Sequence, residues 1–233
     1  MIITKKFNNP VCYIHIPKTG GTSIGSALKY NRNIHGGRHV PLSEHDISDN
    51  MFVFTFVRDP FERFIAFFFK RMCLRHHKKY KNIGFKLSNS KQLNKSDNKM
   101  LAGLFNDWVK NWYSDYSLNY EDKKYDNIVC KWSIMPNSMT KMIQPLERVD
   151  FIGKFENIEE DWGKLLMNLG KSGVIGDAKR INNISHENKI GEGISYRRII
   201  QHIDKKVLLC VLNAFEEDFY NFGYDIKKYK KLL

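Results

Sequence analysis

The sequence predicts an α/β fold with a central parallel sheet flanked by helices. Two short apolar segments have the composition of buried strands: Tyr13–Ile16, led in by Val11 and Cys12, and Met51–Val57. Each is followed by a segment with helical spacing, and parallel strands need such a crossover because a tight turn cannot join them. The alternation of strands and helices therefore favours a parallel sheet covered on both faces. A length of 233 residues suits one large domain or two small ones, and we expect a single domain spanning residues 1–233.

Helical spacing and capping residues predict the helices. Ile24 and Leu28 lie one turn apart after the first strand. Asp59–Pro60 ends the second strand and begins the next helix, because Asp can cap a helix and Pro suits its first position. The later elements predicted in chain order are helix Thr22–Tyr30, helix Phe61 to about His77, helix Leu101–Tyr113, strand Val149–Phe155, helix Asn157–Leu169 and helix Ile203–Phe219.

Three polar segments are predicted as loops: residues 31–50, 76–99 and 170–194. The second contains seven lysines and one acidic residue, Asp97. Such a segment is either a solvated surface loop or a surface that binds a partner or attracts an anion. The sequence leaves both interpretations open.

Composition excludes several classes of protein. Apolar residues make up 42% and aromatic residues 13%, which excludes global disorder. No apolar run approaches the ~18 residues of a membrane helix and no secretory signal is recognised, so a cytoplasmic protein is expected. The net charge of +13 favours a polyanionic partner such as a nucleotide, a nucleic acid or an acidic glycan. Isolated cysteines without a CxxC pair predict reduced thiols and argue against a zinc ribbon; they are Cys12, Cys73, Cys130 and Cys210.

The segment His15–Ser23, with the sequence HIPKTGGTS, has the features of an anion-binding loop. It follows a strand and opens a helix, whose N-terminal N–H groups and dipole attract an anion. Gly20 and Gly21 allow the backbone to approach a ligand closely, and Lys18 adds a positive charge. The lysine precedes the glycines, unlike in the GxxxxGK[ST] loop of ATPases and GTPases. The alternative is a tight turn between strand and helix with an exposed lysine.

The run IPKTGGTS resembles the 5′-phosphosulfate loop of sulfotransferases that use 3′-phosphoadenosine 5′-phosphosulfate (PAPS). It is most similar to the carbohydrate branch, which includes heparan sulfate 2-O and related bacterial enzymes. The resemblance implies a P-loop-like three-layer fold, PAPS as cofactor, 3′,5′-adenosine bisphosphate (PAP) as product, no metal, and a hydroxyl acceptor that is expected to be a carbohydrate. It gives Lys18 an electrostatic catalytic role as well. The residues that it assigns to cofactor binding are Lys18, Thr19, Gly20, Gly21, Thr22 and Ser23.

A second motif, Val57–Arg63, is similar to the element RDPxxR that binds the 3′-phosphate in this family. Arg58 lies at the carboxyl end of its strand, where open α/β sheets bind ligands, and its planar fork suits a phosphate. Arg63 has three interpretations: a ligand contact, a structural ion pair or a position on the helix surface. The family usually has a serine eight residues after the first arginine, whereas this chain has Ala66. That hydroxyl contact is therefore missing or supplied elsewhere.

Transfer to a hydroxyl group needs a base, and histidine suits this task because its pKa lies near neutrality. The histidines near the first motif are His15, His35, His39 and His45. His15 belongs to the strand and is expected in the core or behind the reacting groups. The resemblance favours His39, because the carbohydrate branch commonly places a histidine base after the first helix. His35, His45 and Glu44 remain alternatives.

The resemblance extends over roughly residues 11–226, but only the first two motifs are specific. Segments 149–157 and 218–224 are similar to the family's strand-then-helix segment and to its typical end. Residues 183–189 correspond to a loop that closes over the nucleotide, which makes Lys189 a candidate phosphate contact.

Two other functions remain open. A P-loop-like phosphotransferase needs a metal-binding acid at a strand end, and Asp59 is the only near candidate. A non-enzymatic basic module would bind nucleic acid or sulfated glycan through the net charge and the lysine-rich segment 76–99, although no RNP-like or zinc-finger pattern is present. For a sulfotransferase, we expect no stable nucleic-acid partner, and only peripheral membrane contact if the acceptor is lipid-linked. Acceptor specificity is expected in loops 31–50 and 76–99.

Overall fold

The computed structural model describes residues 2–4, 11–28, 39–44, 46–74, 95–116, 138–173 and 199–233. Three predicted site residues lie outside these ranges: the alternative bases His35 and His45, and the candidate phosphate contact Lys189. Most of the lysine-rich segment 76–99 lies outside them as well.

Strands and helices alternate along the described chain. The strands are β1 (Ile2–Thr4), β2 (Val11–Ile14), β3 (Phe52–Val57) and β4 (Phe151–Lys154). The α-helices are α1 (Gly21–Ala27), α2 (Pro60–Leu74), α3 (Lys95–Tyr116), α4 (Met139–Ile143), α5 (Ile158–Lys171), α6 (Lys205–Ala214), α7 (Glu216–Asn221) and α8 (Lys227–Lys230). Short 3-10 turns cover Leu42–Glu44, Leu146–Arg148, Phe155–Asn157 and Ile200–His202.

Two compact units divide the chain, and each is built from two segments. Unit 1 comprises Met1–Asp59 and Asn137–Glu187, and it contains the sheet with α1, α4 and α5. Unit 2 comprises Pro60–Pro136 and Asn188–Leu233, and its described part is helical. The single domain expected over residues 1–233 remains a prediction.

The sheet of unit 1 has the strand order β1-β2-β3-β4. Strands β2, β3 and β4 are parallel, as predicted, and β1 adds an antiparallel edge. Ile14 pairs with Thr55, and Val57 pairs with Lys154. The three parallel strands therefore end at the same edge of the sheet, where the chain continues into the segments that carry the predicted site residues.

Both faces of β2 and β3 are largely buried, whereas Ile152 of β4 is 37% exposed. Tyr13 and Phe56 on one face share an apolar cluster with Ile24 of α1 and Trp162 of α5. Burial of both faces explains why β2 and β3 show no polar alternation, in agreement with the predicted buried strands. The fully buried residues of the opposite face include Cys12, Ile14, Val53, Thr55 and Val57.

Unit 2 has its own apolar core, rich in aromatic rings. Phe61, Phe64 and Phe68 of α2 meet Phe105 of α3 edge to face, with centroid distances of 6.5, 5.7 and 5.2 Å. This is the geometry that aromatic quadrupoles prefer. Arg63 on α2 is only 1% exposed, so its interpretation as a surface residue of the helix is wrong. None of the described helices is long and apolar enough to span a membrane.

Helix α3 begins at Lys95, although residues 95–99 were expected to belong to a loop. The apolar pattern used for the prediction starts only at Leu101. The preceding turn is mostly polar and exposed, and it carries Asp97, an acid at the end of the helix where the dipole favours a negative charge. A solvent-facing first turn of this kind gives no apolar periodicity.

The helix predicted over Ile203–Phe219 is two helices, α6 and α7. Phe215 separates them, with φ −121° and ψ 18°, outside the helical region. The spacing of apolar residues continues across the break, so periodicity could not locate it. The acids Glu216, Glu217 and Asp218 then form the first turn of α7, where they suit the positive end of a new helix dipole.

Candidate functional site

The predicted site residues of unit 1 gather at the carboxyl edge of the parallel strands. Strand β2 leads into the loop His15–Gly20, β3 leads into Arg58, and β4 leads into Phe155. Ligands of open α/β sheets bind in this position. The structure therefore brings the first and second sequence motifs to one edge, as the parallel arrangement implies.

The loop that carries Lys18 has an unusual backbone. Lys18 has φ +72° and Gly20 has φ +86°, whereas Thr19 between them is not in the left-handed region. Left-handed residues in a turn of this kind are a common feature of backbones that bind anions through successive N–H groups. The fully buried Thr19 donates its hydroxyl hydrogen to the Ile16 carbonyl at 2.9 Å, so the Thr19 side chain holds the loop.

Side chains close to Gly20 and Gly21 leave no room for a Cβ atom at either position. A methyl group at Gly20 would lie 2.8 Å from Cδ1 of Ile158 and 3.0 Å from Cδ2 of Phe155. A methyl group at Gly21 would lie 1.8 Å from Nε2 of His15. From the sequence, the two glycines were expected to allow the close approach of a ligand. The structure adds a second reason, since side chains of the protein occupy the positions that Cβ atoms would take.

Helix α1 begins at Gly21, and Gly20 is its N-cap without a side-chain hydrogen bond. Of the two hydroxyl residues predicted to bind the anion, Thr22 is exposed and Ser23 is buried. Thr22 is thus open to solvent in the first turn of the helix, whereas Ser23 faces the interior.

Arg58 is held at the strand edge by contacts within unit 1. Its Nη1 donates to the Lys18 carbonyl at 3.5 Å, and its Cζ lies 4.5 Å from the ring centroid of Phe155. Its backbone N–H points to Sδ of Met139 at 3.5 Å. The guanidinium group therefore lies next to the loop of Lys18. Lys18 and Arg58 are two of the cationic residues that were expected from the sequence to bind PAPS.

His39 lies beside His15 at the same edge. Nδ1 of His39 is 3.2 Å from the His15 carbonyl oxygen, and the two ring centroids are 4.6 Å apart. A carbonyl oxygen can only accept, so Nδ1 carries the hydrogen, and Nε2 of a neutral imidazole is then the basic nitrogen. His15 stacks in turn on Tyr13, with centroids 5.7 Å apart. The side chain of His39 is exposed.

Acidic side chains near the strand ends bind backbone N–H groups. Oε1 of Glu156 accepts from the N–H of Asp59 at 2.7 Å, and Oδ2 of Asp161 accepts from the N–H of Lys154 at 2.7 Å. Among the described residues, no group of three or more His, Cys, Asp or Glu is arranged to hold a metal ion.

Two of the four cysteines belong to described side chains, and both are free thiols. Burial raises the pKa of the Cys12 thiol to about 12, so the reactive thiolate is disfavoured at neutral pH. Burial also raises the pKa of the Tyr13 phenol, and the nearby Thr19 side chain opposes part of that rise. Both groups are therefore neutral parts of the packing beneath the site.

Comparison with known families agrees with this geometry. The model of the sulfotransferase family matches residues 2–225. This chain belongs to the sulfotransferase family. Among curated proteins and solved structures, none matches the chain significantly.

Family membership makes the chain an enzyme that transfers sulfate to a hydroxyl-bearing acceptor, and it confirms the sulfotransferase prediction at that level. The family generally uses PAPS. The matched range includes both sequence motifs and also the β4 strand with the segment that follows it.

Sequence reasoning did not indicate the contacts that Phe155 and His15 make in this sulfotransferase. The segment around Phe155 was interpreted as structural, yet its ring contacts Arg58 and would meet a methyl group at Gly20. The predicted strand Val149–Phe155 included this residue, so no signal in the sequence showed that Phe155 follows β4 as Arg58 follows β3. His15 was expected behind the reacting groups, but nothing in the sequence indicated its contacts with Gly21 and His39.

Proposed function

We propose that this chain transfers the sulfuryl group of PAPS to a hydroxyl of a carbohydrate acceptor. The observation that carries the proposal is the contact between the guanidinium group of Arg58 and the loop of Lys18, at the carboxyl edge of the parallel strands. Family membership supports sulfuryl transfer. The P-loop-like classification rests on the strand, loop and helix from Val11 to Ala27.

Loop 18–23 and Arg58 fit PAPS, a sulfuryl donor with an anionic group at each end. The loop 18–23 would bind the 5′-phosphosulfate, since it has left-handed residues, glycines without side chains and the Lys18 ammonium. Arg58 would bind the 3′-phosphate through its planar set of N–H donors. Lys189, outside the described residues, remains a predicted further phosphate contact.

When bound, PAPS supplies the sulfuryl group, and the electron pair of the broken S–O bond stays on the bridging phosphate oxygen. Lys18 stabilises the negative charge that grows on that oxygen. A preorganised group of this kind typically contributes about 3–4 kcal/mol to the lowering of the barrier. This chain therefore needs a fixed cation at the loop, and the buried hydrogen bond of Thr19 helps to fix it.

His39 would take the proton of the acceptor hydroxyl as the new O–S bond forms. The hydrogen bond from Nδ1 to the His15 carbonyl supports this role, because it leaves Nε2 as the acceptor of the proton. The exposure of His39 suits a group that must meet an acceptor arriving from solvent. The carbohydrate nature of the acceptor rests on the resemblance of the run IPKTGGTS to the carbohydrate branch.

The first test is a thermal shift with PAP, with ADP and AMP as comparison ligands. A ligand that binds only the folded state adds ~2.7 kcal/mol of stability at about 100 times its Kd. We expect PAP to stabilise the protein most and the Arg58→Ala variant to lose that preference. If ADP stabilises the protein as well as PAP, the assignment of the 3′-phosphate to Arg58 is wrong.

The acceptor is tested by transfer of labelled sulfate from PAPS to a desulfated heparan-type polysaccharide, with a simple phenol as the comparison acceptor. We expect label on the polysaccharide. Label on the phenol alone would contradict the proposed acceptor class while leaving the use of PAPS intact.

A further inference from the structure

We infer that Phe155 is a positioning residue that holds the guanidinium group of Arg58 for the 3′-phosphate of the donor. The inference rests on the proposed function and adds to it a residue that neither sequence motif contains. Phe155 would act through Arg58 and through the loop, without taking part in the chemical step.

The aromatic ring of Phe155 packs on the guanidinium group of Arg58. Cζ of Arg58 lies 4.5 Å from the Phe155 centroid, well within the range of a cation–π interaction. The hydrogen bond from Nη1 to the Lys18 carbonyl is 3.5 Å long, and at that length it restrains the group only weakly. The ring has no lone pair, so this contact is not a conventional hydrogen bond and does not itself use an N–H donor of Arg58.

The backbone fixes Phe155 opposite Arg58. Val57 and Lys154 are paired in the parallel ladder, so the next residues along the two strands are Arg58 and Phe155. Just beyond them, Oε1 of Glu156 accepts from the N–H of Asp59 at 2.7 Å. The two chains are thus joined on both sides of the contact, and the ring cannot shift along the strand without breaking one of these bonds.

The same ring also packs against the phosphosulfate loop. A methyl group at Gly20 would lie 3.0 Å from Cδ2 of Phe155, so the ring is in close contact with the backbone of the loop. Phe155 therefore touches both elements that would bind the two ends of the donor. Its removal should loosen Arg58 more than it loosens the loop, because Thr19 ties the loop to Ile16 independently.

The experiment measures the affinities of PAP and AMP by titration calorimetry for four proteins: wild type, Phe155→Leu, Arg58→Ala and the double variant. AMP lacks the 3′-phosphate, so it reports on the rest of the site. We expect Phe155→Leu to weaken PAP binding by about five- to thirtyfold, the range of a partly desolvated cation–π contact, and to leave AMP binding unchanged. In the Arg58→Ala background the same substitution should have no further effect on PAP.

Two variants serve as matched controls. Phe155→Tyr keeps the π face and should keep the preference for PAP. Phe151→Leu makes the same substitution at the start of β4, where the ring packs against Phe56 with centroids 6.2 Å apart, and should lower stability without changing that preference. Should Phe155→Leu fail to fold, Phe155→Met removes the π face with a smaller loss of volume.

The outcomes separate the two proposals. If the wild type shows no preference for PAP over AMP, the proposed function fails first. If the wild type prefers PAP and Phe155→Leu keeps the full preference, the inference about Phe155 is overturned and the proposed function stands. Equal losses for PAP and AMP would also overturn the inference, because the ring would then shape the site in general.

Discussion

The loop that carries Lys18 and the segment that carries His39 are held in different ways. The loop lies inside unit 1: Thr19 is fully buried and bonded to Ile16, and side chains fill the space beside Gly20 and Gly21. His39 is exposed, and it contacts His15 through a 3.2 Å hydrogen bond and a tilted ring contact.

This difference separates the donor side of the proposed reaction from the acceptor side. PAPS would bind to the backbone of the Lys18 loop, which core contacts hold in place. Preorganised electrostatic stabilisation requires such a fixed backbone. The acceptor would meet a surface residue that can adapt to a sugar hydroxyl. Substitutions in the loop should therefore change stability and activity together, whereas substitution of His39 should change activity alone.

Replacement of His39 by Ala should have the largest effect on activity. Loss of a general base typically lowers kcat by about 10²–10⁴-fold. Because the side chain is exposed, we expect the unfolding temperature to stay at the wild-type value. Sulfate transfer and thermal unfolding measured on the same preparation check both expectations.

His202→Ala is a matched control, since it removes a histidine from the 3-10 turn Ile200–His202 of unit 2. It should keep wild-type transfer. Near-normal transfer in the His39 variant would instead point to one of the other candidate bases.

Replacement of Lys18 by Ala should lower transfer by about 10²–10³-fold, the usual loss for one preorganised group. The φ of +72° makes a second variant informative. An L-residue in this region costs about 1–2 kcal/mol, so Lys18→Gly should be more stable than Lys18→Ala by up to about 1 kcal/mol. Both variants should be equally inactive.

Kinetics and chemical denaturation of the two Lys18 variants measure activity and stability separately. Full activity in either variant would exclude the electrostatic role of Lys18. Equal stability of the two would show that the left-handed conformation at this position carries no strain.

The sequence could predict which elements meet at the site, because parallel strands end at one edge. Lys18 follows β2 and Arg58 follows β3, so their proximity required only the fold class and the two motifs. Phe155 was out of reach, because its contact with Arg58 depends on the register of β3 and β4. The sequence does not fix that register, since β3 is buried on both faces and shows no polar alternation.

The longer elements were predictable, whereas β1, α4 and α8 were not predicted. Two further differences have local causes. The polar first turn of α3 gives no apolar signal, and Phe215 interrupts a helix whose apolar spacing is continuous. The candidate base His39 also shows that the sequence alone does not give the contacts of a side chain. The resemblance favoured His39, but which ring nitrogen forms a hydrogen bond depends on a carbonyl 24 residues away in the chain, which only the tertiary structure brings near.

Replacement of Gly21 by Ala should have the smallest effect of the three, and it tests whether the loop and the base are linked through His15. The new methyl group would overlap the His15 ring, with 1.8 Å to Nε2, so the ring must move. Overpacking of this kind usually costs about 1–3 kcal/mol of stability. Since His15 also contacts His39, transfer should fall along with the unfolding temperature.

The double variant Gly21→Ala with His15→Ala separates the two effects. Removal of the ring removes the overlap, so stability should recover most of the loss. Activity should recover less, because His39 would lack its ring neighbour while keeping the backbone carbonyl that fixes its tautomer. Full recovery of both would mean that the ring of His15 only fills space, and that the backbone of the donor loop suffices to orient the base.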